Sequence, residues 1–158
     1  SEFTQDTDAE DVPADAFLDG TIISTYMPRV EDDEDEWGQF FRAIYEEYGE
    51  TDNITNTHVF GMMQAVMFAE VLMANGEDLT RQSLIDTLET HEWNGPSNVP
   101  FSSSDGDHGG HEGVFMVQYE EGGQIDVIQE PRVTDREGGD IEEVSIDPLS
   151  PEEMVFHD

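Results

Sequence analysis

One stretch constrains this chain more than any other: residues 56–75, the longest apolar segment in a sequence otherwise saturated with carboxylates. Val59, Phe60, Met62, Met63, Val66, Met67, Val71 and Leu72 recur at helical spacing, and Phe68 and Met73 widen the apolar arc. Asn56 or Thr57 suits the start, and Asn75 followed by Gly76 suits a left-handed stop. Gln64, Glu70 and Asn75 interrupt it too often for a membrane span. A helix apolar on most of its circumference needs cover on several sides, so the rest of the chain must enclose it.

The rest of the chain is acidic. Asp and Glu number 39 among 158 residues against five cations, for a formal net charge of −34. All five cations are arginines (Arg29, Arg42, Arg81, Arg132, Arg136). The acid is spread through segments with clear periodicity, unlike a disordered acidic tail. It reads as the solvated surface of a halophile protein, whose self-repulsion concentrated salt screens. Nucleic acid is excluded as a partner, since a phosphate backbone would be repelled and no basic stripe is present. An anionic membrane surface is disfavoured for the same reason. The absence of cysteine removes disulfides, thiolate metal sites and a thiol nucleophile. The chain begins Ser1-Glu2-Phe3 and carries no signal peptide, as expected of a piece excised from a longer protein.

In chain order, residues 1–18 read as an acidic lead-in with a short helical turn near Ala14–Leu18. Thr21–Tyr26 is a β-branched run of strand length ended by Pro28. The acid run Glu31–Glu36 suits a helix N-terminus. Trp37, Phe40, Phe41, Ile44, Tyr45 and Tyr48 then form an amphipathic helix stopped by Gly49. A third helix is expected from Thr80 to His91, with Leu79 and Leu84 as a hydrophobic staple and Leu84, Ile85 and Leu88 buried. Residues 98–101 form a short extended piece, 102–110 a loop, and Val114–Tyr119 and Gln124–Gln129 a hairpin through residues 120–123, ended by Pro131. Residues 132–158 read as a loosely packed acidic tail that crosses back over the body.

Chemistry-bearing patterns are sparse. There is no Gly-x-Ser-x-Gly, Walker loop or Gly-x-Gly-x-x-Gly, so neither an enzyme nor a cofactor is expected. The most ligand-rich window is 105–112. Asp105, Asp107 and Gly110 match positions one, three and six of a calcium loop, but Gly109 and Met116 break positions five and twelve. Asp105, Asp107, His108 and His111 could hold zinc, yet no helix fixes their spacing, and a glycine-rich turn explains them as well. His58 opens the central helix, where free amides could meet an anionic group beside Thr55 and Thr57; an ordinary polar cap is the plainer reading. His91 suits a helix C-terminus.

Seven blocks in order give a resemblance: residues 19–25, 40–49, 60–72, 79–88, 93–96, 105–110 and 113–119. Together they resemble the C-terminal portion of a type I periplasmic-type solute-binding protein, of the branched-chain amino acid, amide and urea receptor family of ABC importers. The resemblance covers residues 19–131. It implies an α/β fold of two lobes about a hinge, of which this chain holds a fragment with three main helices followed by a β-hairpin. It implies a non-catalytic component that binds an amino acid or related small amide in the cleft, with an ABC permease as partner. It further implies an extracellular or cell-surface location, lipid-anchored in the parent protein. The implied ligand contacts are Thr25 and Tyr26 near the hinge strand and Thr55, Thr57, His58 and Phe60 at the helix entry. Two departures stand out: the family's Gly-Tyr-Asp is here Gly61-Met62-Met63, and Thr57 occupies the place of its cleft aromatic. The family's first βα units and most of its second lobe are missing, so a homo-oligomer is expected to cover the exposed faces. Rival readings are a ligand-sensing domain of a receptor or regulator, and a halophilic structural fragment that binds no solute.

Overall fold

A computed structural model describes residues 18–51, 53–120, 124–133 and 140–154. The lead-in turn at 14–17, most of the hairpin connection, the Gly138-Gly139 break and His157 lie outside them. The architecture is mixed α/β. Strand β1 (Ile22–Thr25) is followed by helices α1 (Glu36–Tyr48), α2 (Asn56–Asn75) and α3 (Arg81–Thr90). Strands β2 (Phe101–Ser104), β3 (Asp107–His111), β4 (Gly113–Tyr119), β5 (Ile125–Val133) and β6 (Glu142–Glu143) come next, and the one-turn helix α4 (Pro151–Met154) closes the described chain.

Local chemistry sets the helix starts. Asp35 caps α1: its Oδ1 accepts from Gly38 N–H at 2.8 Å, and its Oδ2 accepts from Arg29 N–H at 2.8 Å. One carboxylate thus fixes both the helix and the chain leading into it. Gly38 is required there, because an added Cβ would collide with the Arg29 carbonyl. Thr80 caps α3 by accepting from Ser83 N–H at 3.0 Å.

Sheet β1-β4-β5-β6 is antiparallel throughout, with Ile22 opposite Gln118 and Thr25 opposite Phe115. Phe115 and Val117 alternate inward on β4 and pack with Val99 beneath Ile23 and Ile125. The larger core joins Val30, Trp37, Phe41, Val59, Met63, Met67 and Met154. Tyr26 touches both clusters, so the end of β1 links the sheet to the helices. The acidic tail does cross the body: Trp37 Nε1 donates to Leu149 O at 2.8 Å, and Met154 is buried against α1 and α2.

Several expectations are corrected. Residues 102–110 are not a loop: β2 and β3 pair as a hairpin, Ser104 facing Asp107 across Asp105-Gly106. Asp-Gly is a two-residue hairpin turn, and Gly106 takes φ 89°. Pro131 does not end β5, which continues to Val133; the proline falls where the register with β4 shifts, and no ladder N–H is needed there. On α3 no residue is fully buried, and Ile85 is exposed, because of its three apolar residues only Leu84 and Leu88 face the body. The aromatic stripe of α1 likewise runs out, leaving Tyr48 exposed.

Helix α2 has the length and composition of a membrane span. One stripe, Val59, Met63, Met67, Glu70 and Val71, is buried instead. The opposite face is open, with Phe68 58% exposed and Phe60 and Met73 also outside.

Candidate functional site

The sequence-derived ligand contacts fall into two groups. At the helix entry, Thr55 precedes α2, and His58 Nδ1 accepts from Thr55 N–H at 3.1 Å and from its hydroxyl at 3.1 Å. The Nδ1 lone pair is therefore used in capping, which leaves Nε2 to carry the ring proton. The ring lies against Tyr45, centroids 4.7 Å apart, and the Tyr45 hydroxyl meets Thr51. Thr57 and Phe60 are exposed beside this turn. The entry thus offers open amides, a hydroxyl, an imidazole N–H and one aromatic ring at a helix N-terminus, where anionic and carbonyl groups are favoured.

The second group lies at the end of β1. Thr25 Oγ1 accepts from Met27 N–H at 3.2 Å. The Tyr26 carbonyl accepts from Asn98 N–H at 3.2 Å and Ser97 Oγ at 3.0 Å. Its ring stacks on His111, centroids 4.3 Å apart. Thr25 and Tyr26 therefore serve the turn and the core as much as any ligand.

The four metal candidates point apart. His108 and His111 stand three positions apart on β3, hence on opposite faces. His108 Nε2 lies 3.0 Å from Glu89 Oε1 on α3, whereas His111 turns inward to Tyr26 and Phe101. Asp105 sits in the turn and Asp107 opens the strand. Among the described residues, no three His, Asp or Glu side chains come together as a metal site.

Burial without a hydrogen-bond partner for either ring nitrogen lowers the His111 pKa below its ordinary value. The folded state then resists a proton that the unfolded chain accepts near pH 6.5. Stability is full above that value and declines as acid carries the pH down toward the folded pKa. His111→Phe, which keeps the ring stack, is expected to remove this part of the decline. In melting curves from pH 7.5 to 5.5, wild type should lose more stability than the variant; parallel curves would refute it.

Sequence reading missed a second cluster, reached from Tyr26 through rings in contact. Phe101 meets His111 at 5.1 Å, Trp93 meets Phe101 at 5.6 Å, and His91 meets Trp93 at 4.9 Å. His91 Nε2 ends this chain 3.2 Å from Oε1 of Glu70. Glu70 sits on the buried stripe of α2, only 8% exposed. A carboxylate on an otherwise apolar stripe, four residues from Met67, Val66 and Val71 at most, was the available signal.

Two cavities adjoin the crossing tail. The larger, about 820 Å³, lies between the start of α1, the β4–β5 face and residues 143–150. Arg29, Trp37, Asn98, Phe115 and Glu130 are among its walls. The smaller, about 260 Å³, lies between Met67, the 93–101 segment and residues 146–148. None of the six expected ligand contacts lines either one.

Neither a curated protein nor a solved structure matches the chain. A family model described as periplasmic binding protein matches residues 1–124, well over half of the sequence. That span takes in β1, all three long helices and β4, so the helix entry and the β1 end both fall within it. Members of this family bind small solutes, generally without catalysis, typically alongside a permease and outside the cytoplasmic membrane. By this match the chain belongs to the periplasmic binding protein family.

Proposed function

We propose that this chain is the solute-binding part of an ABC importer and takes an amino acid or related small amide. The family match over residues 1–124 carries the reading, and the seven ordered sequence blocks narrow the class. In this reading residues 19–131 are the solute-binding portion, residues 1–18 a lead-in and 132–158 an acidic tail. Thr55, Thr57, His58 and Phe60 meet the solute at the entry to α2, and Thr25 and Tyr26 support it from the end of β1. The amides and imidazole N–H at the α2 entry suit a carboxylate or amide oxygen, and Phe60 suits an apolar side chain. A second lobe closing over the same turn supplies the remaining contacts.

Thermal shift of the complete gene product in high salt, against a panel of amino acids, simple amides and urea, tests this. A true solute at a hundred times its Kd stabilises by about 2.7 kcal/mol, which raises Tm measurably. Thr57→Ala and Phe60→Ala should shrink that shift without lowering the unliganded Tm, since both side chains are exposed. No shift with any member of the panel would remove the reading.

A further inference from the structure

The cavity of about 260 Å³ beside α2 has a distinctive chemistry. Its lining residues include the aromatic Trp93 and Phe101, Met67 and the acidic Asp147, and no Lys or Arg. Gly95 also lines it. A Cβ on Gly95 would stand 3.2 Å from Met67 Cγ and 3.6 Å from Glu70 Oε2. Glu70 does not itself line the cavity; its Oε2 stands behind Gly95 and Met67, which do.

The two oxygens of Glu70 are in different positions. Oε1 is served by His91 Nε2 at 3.2 Å and Asn94 N–H at 3.4 Å. Oε2 is buried and has no hydrogen-bond partner. A buried carboxylate oxygen without a donor is costly, and a donor that reaches it recovers that cost. Met67 is the side chain packed closest to Gly95 beside Oε2, with Cγ 3.2 Å and Sδ 4.0 Å from the Gly95 Cβ position. Methionine is unbranched and changes rotamer readily, so it can uncover the oxygen without moving the backbone.

We infer that this cavity is a binding site for a small organic ammonium ion, held by Glu70 Oε2 and faced by Trp93 and Phe101. The charge selects a cation: Asp147 lines the space, the Glu70 carboxylate stands just behind Gly95 and Met67, and no Lys or Arg is among the lining residues. The rings select an organic one, because an alkylammonium meets aromatic faces favourably and fills apolar volume that a hydrated metal ion would not. The size selects a small one, since pockets for drug-sized ligands run to about 300–1,000 Å³. The site stands apart from the α2 entry and does not depend on the solute assigned there.

The test is a titration of the 158-residue chain with ethylammonium chloride at ionic strength held constant with potassium chloride. Trp93 Nε1–H donates to Leu88 O at 3.2 Å and gives an indole N–H signal at the cavity wall. The Trp37 indole, bound to Leu149, gives an internal control of folding. A saturable shift of the Trp93 signal with an unmoved Trp37 signal is expected, and 1-propanol, the neutral analogue, should give none. Glu70→Gln keeps an oxygen for His91 and Asn94 but puts an N–H₂ where the ammonium sits; affinity should fall at least tenfold. Gly95→Ala, which fills the cradle, should weaken binding similarly and serves should the Gln variant unfold. A linear, unsaturable shift in wild type, an equal response to propanol, or undiminished affinity in a folded variant would each overturn the assignment.

Discussion

Replacing Phe41 by Ala is expected to cost about 3–5 kcal/mol of stability, the range for a large aromatic truncated in a closed core. Phe41 is 0% exposed and is the largest fully buried side chain described. Trp37 and Phe40 hold it on its own helix, with ring centroids 5.6 and 5.8 Å away. Val59, Met63 and Met67 of α2 and Met154 of α4 belong to the same cluster. Collapse into the vacated space would have to draw α1, α2 and the crossing tail together at once. Asp35 and the close Gly38–Arg29 approach already fix α1, so most of the cavity should remain. For a domain of this size each kcal/mol is about 2–4 °C in Tm, so a fall of about 6–20 °C is expected by calorimetry. A loss under about 1 kcal/mol would mean that this cluster is not the core. Phe68→Ala on the open side of the neighbouring helix is the matched control and should change little, as exposed substitutions do.

The second large effect is that of salt. A formal charge of −34 must be carried on the surface of a 158-residue chain. Among the described residues, arginine ion pairs join Arg29 to Asp32, Arg42 to Asp33 and Arg132 to Glu143, and these offset little of the excess. Unit charges 4 Å apart repel by about 1 kcal/mol even in water. The screening length is about 3 Å at 1 M salt and about 10 Å at 0.1 M. At high salt each carboxylate therefore interacts with its immediate neighbours only, while at low salt it meets charges across the surface. Unfolding spreads the charges and relieves the repulsion, so dilution favours the unfolded chain. Moving from about 2 M to 0.1 M potassium chloride should lower Tm by about 10 °C or more, some 3 kcal/mol at this chain length. Unchanged far-ultraviolet circular dichroism and Tm across that range would refute it. The Phe41 effect should persist at both salt concentrations, which separates core packing from surface repulsion.

What could be read from sequence was whatever rests on neighbours a few residues apart. The acid run Glu31–Glu36, Thr80 and the aromatic spacing of α1 announce helices because capping and periodicity are local. The extent of α2 was legible, but not which side of it would be covered, since apolar residues surround its axis. Cover came from Phe41, Tyr26 and Met154, far away in the chain. The β2–β3 hairpin was hidden by its glycines and serines, which read as loop although Asp105-Gly106 is itself a hairpin turn. Gly110 gives the reason for that composition: a Cβ there would press to 3.0 Å of the Phe101 ring. Of the site, the residues at the α2 entry were nameable from the resemblance. The Glu70–His91–Trp93 cluster was not, because it joins positions brought together only by α3 folding back on α2.

The pairing of β1 with β4 has a consequence for how this protein is made. Ile22 lies opposite Gln118, about a hundred residues later. At about 5–20 residues per second of synthesis, the first strand waits some 5–20 s for its partner to emerge. Helix α2 is complete in that interval, but Met154, which closes the core beside it, is not yet present. A nascent chain of this sequence therefore holds its most apolar segment with only the earlier part of its cover, Tyr26 and Phe41, already made, so its burden on the cell's holding chaperones depends on the order of synthesis as well as on final stability.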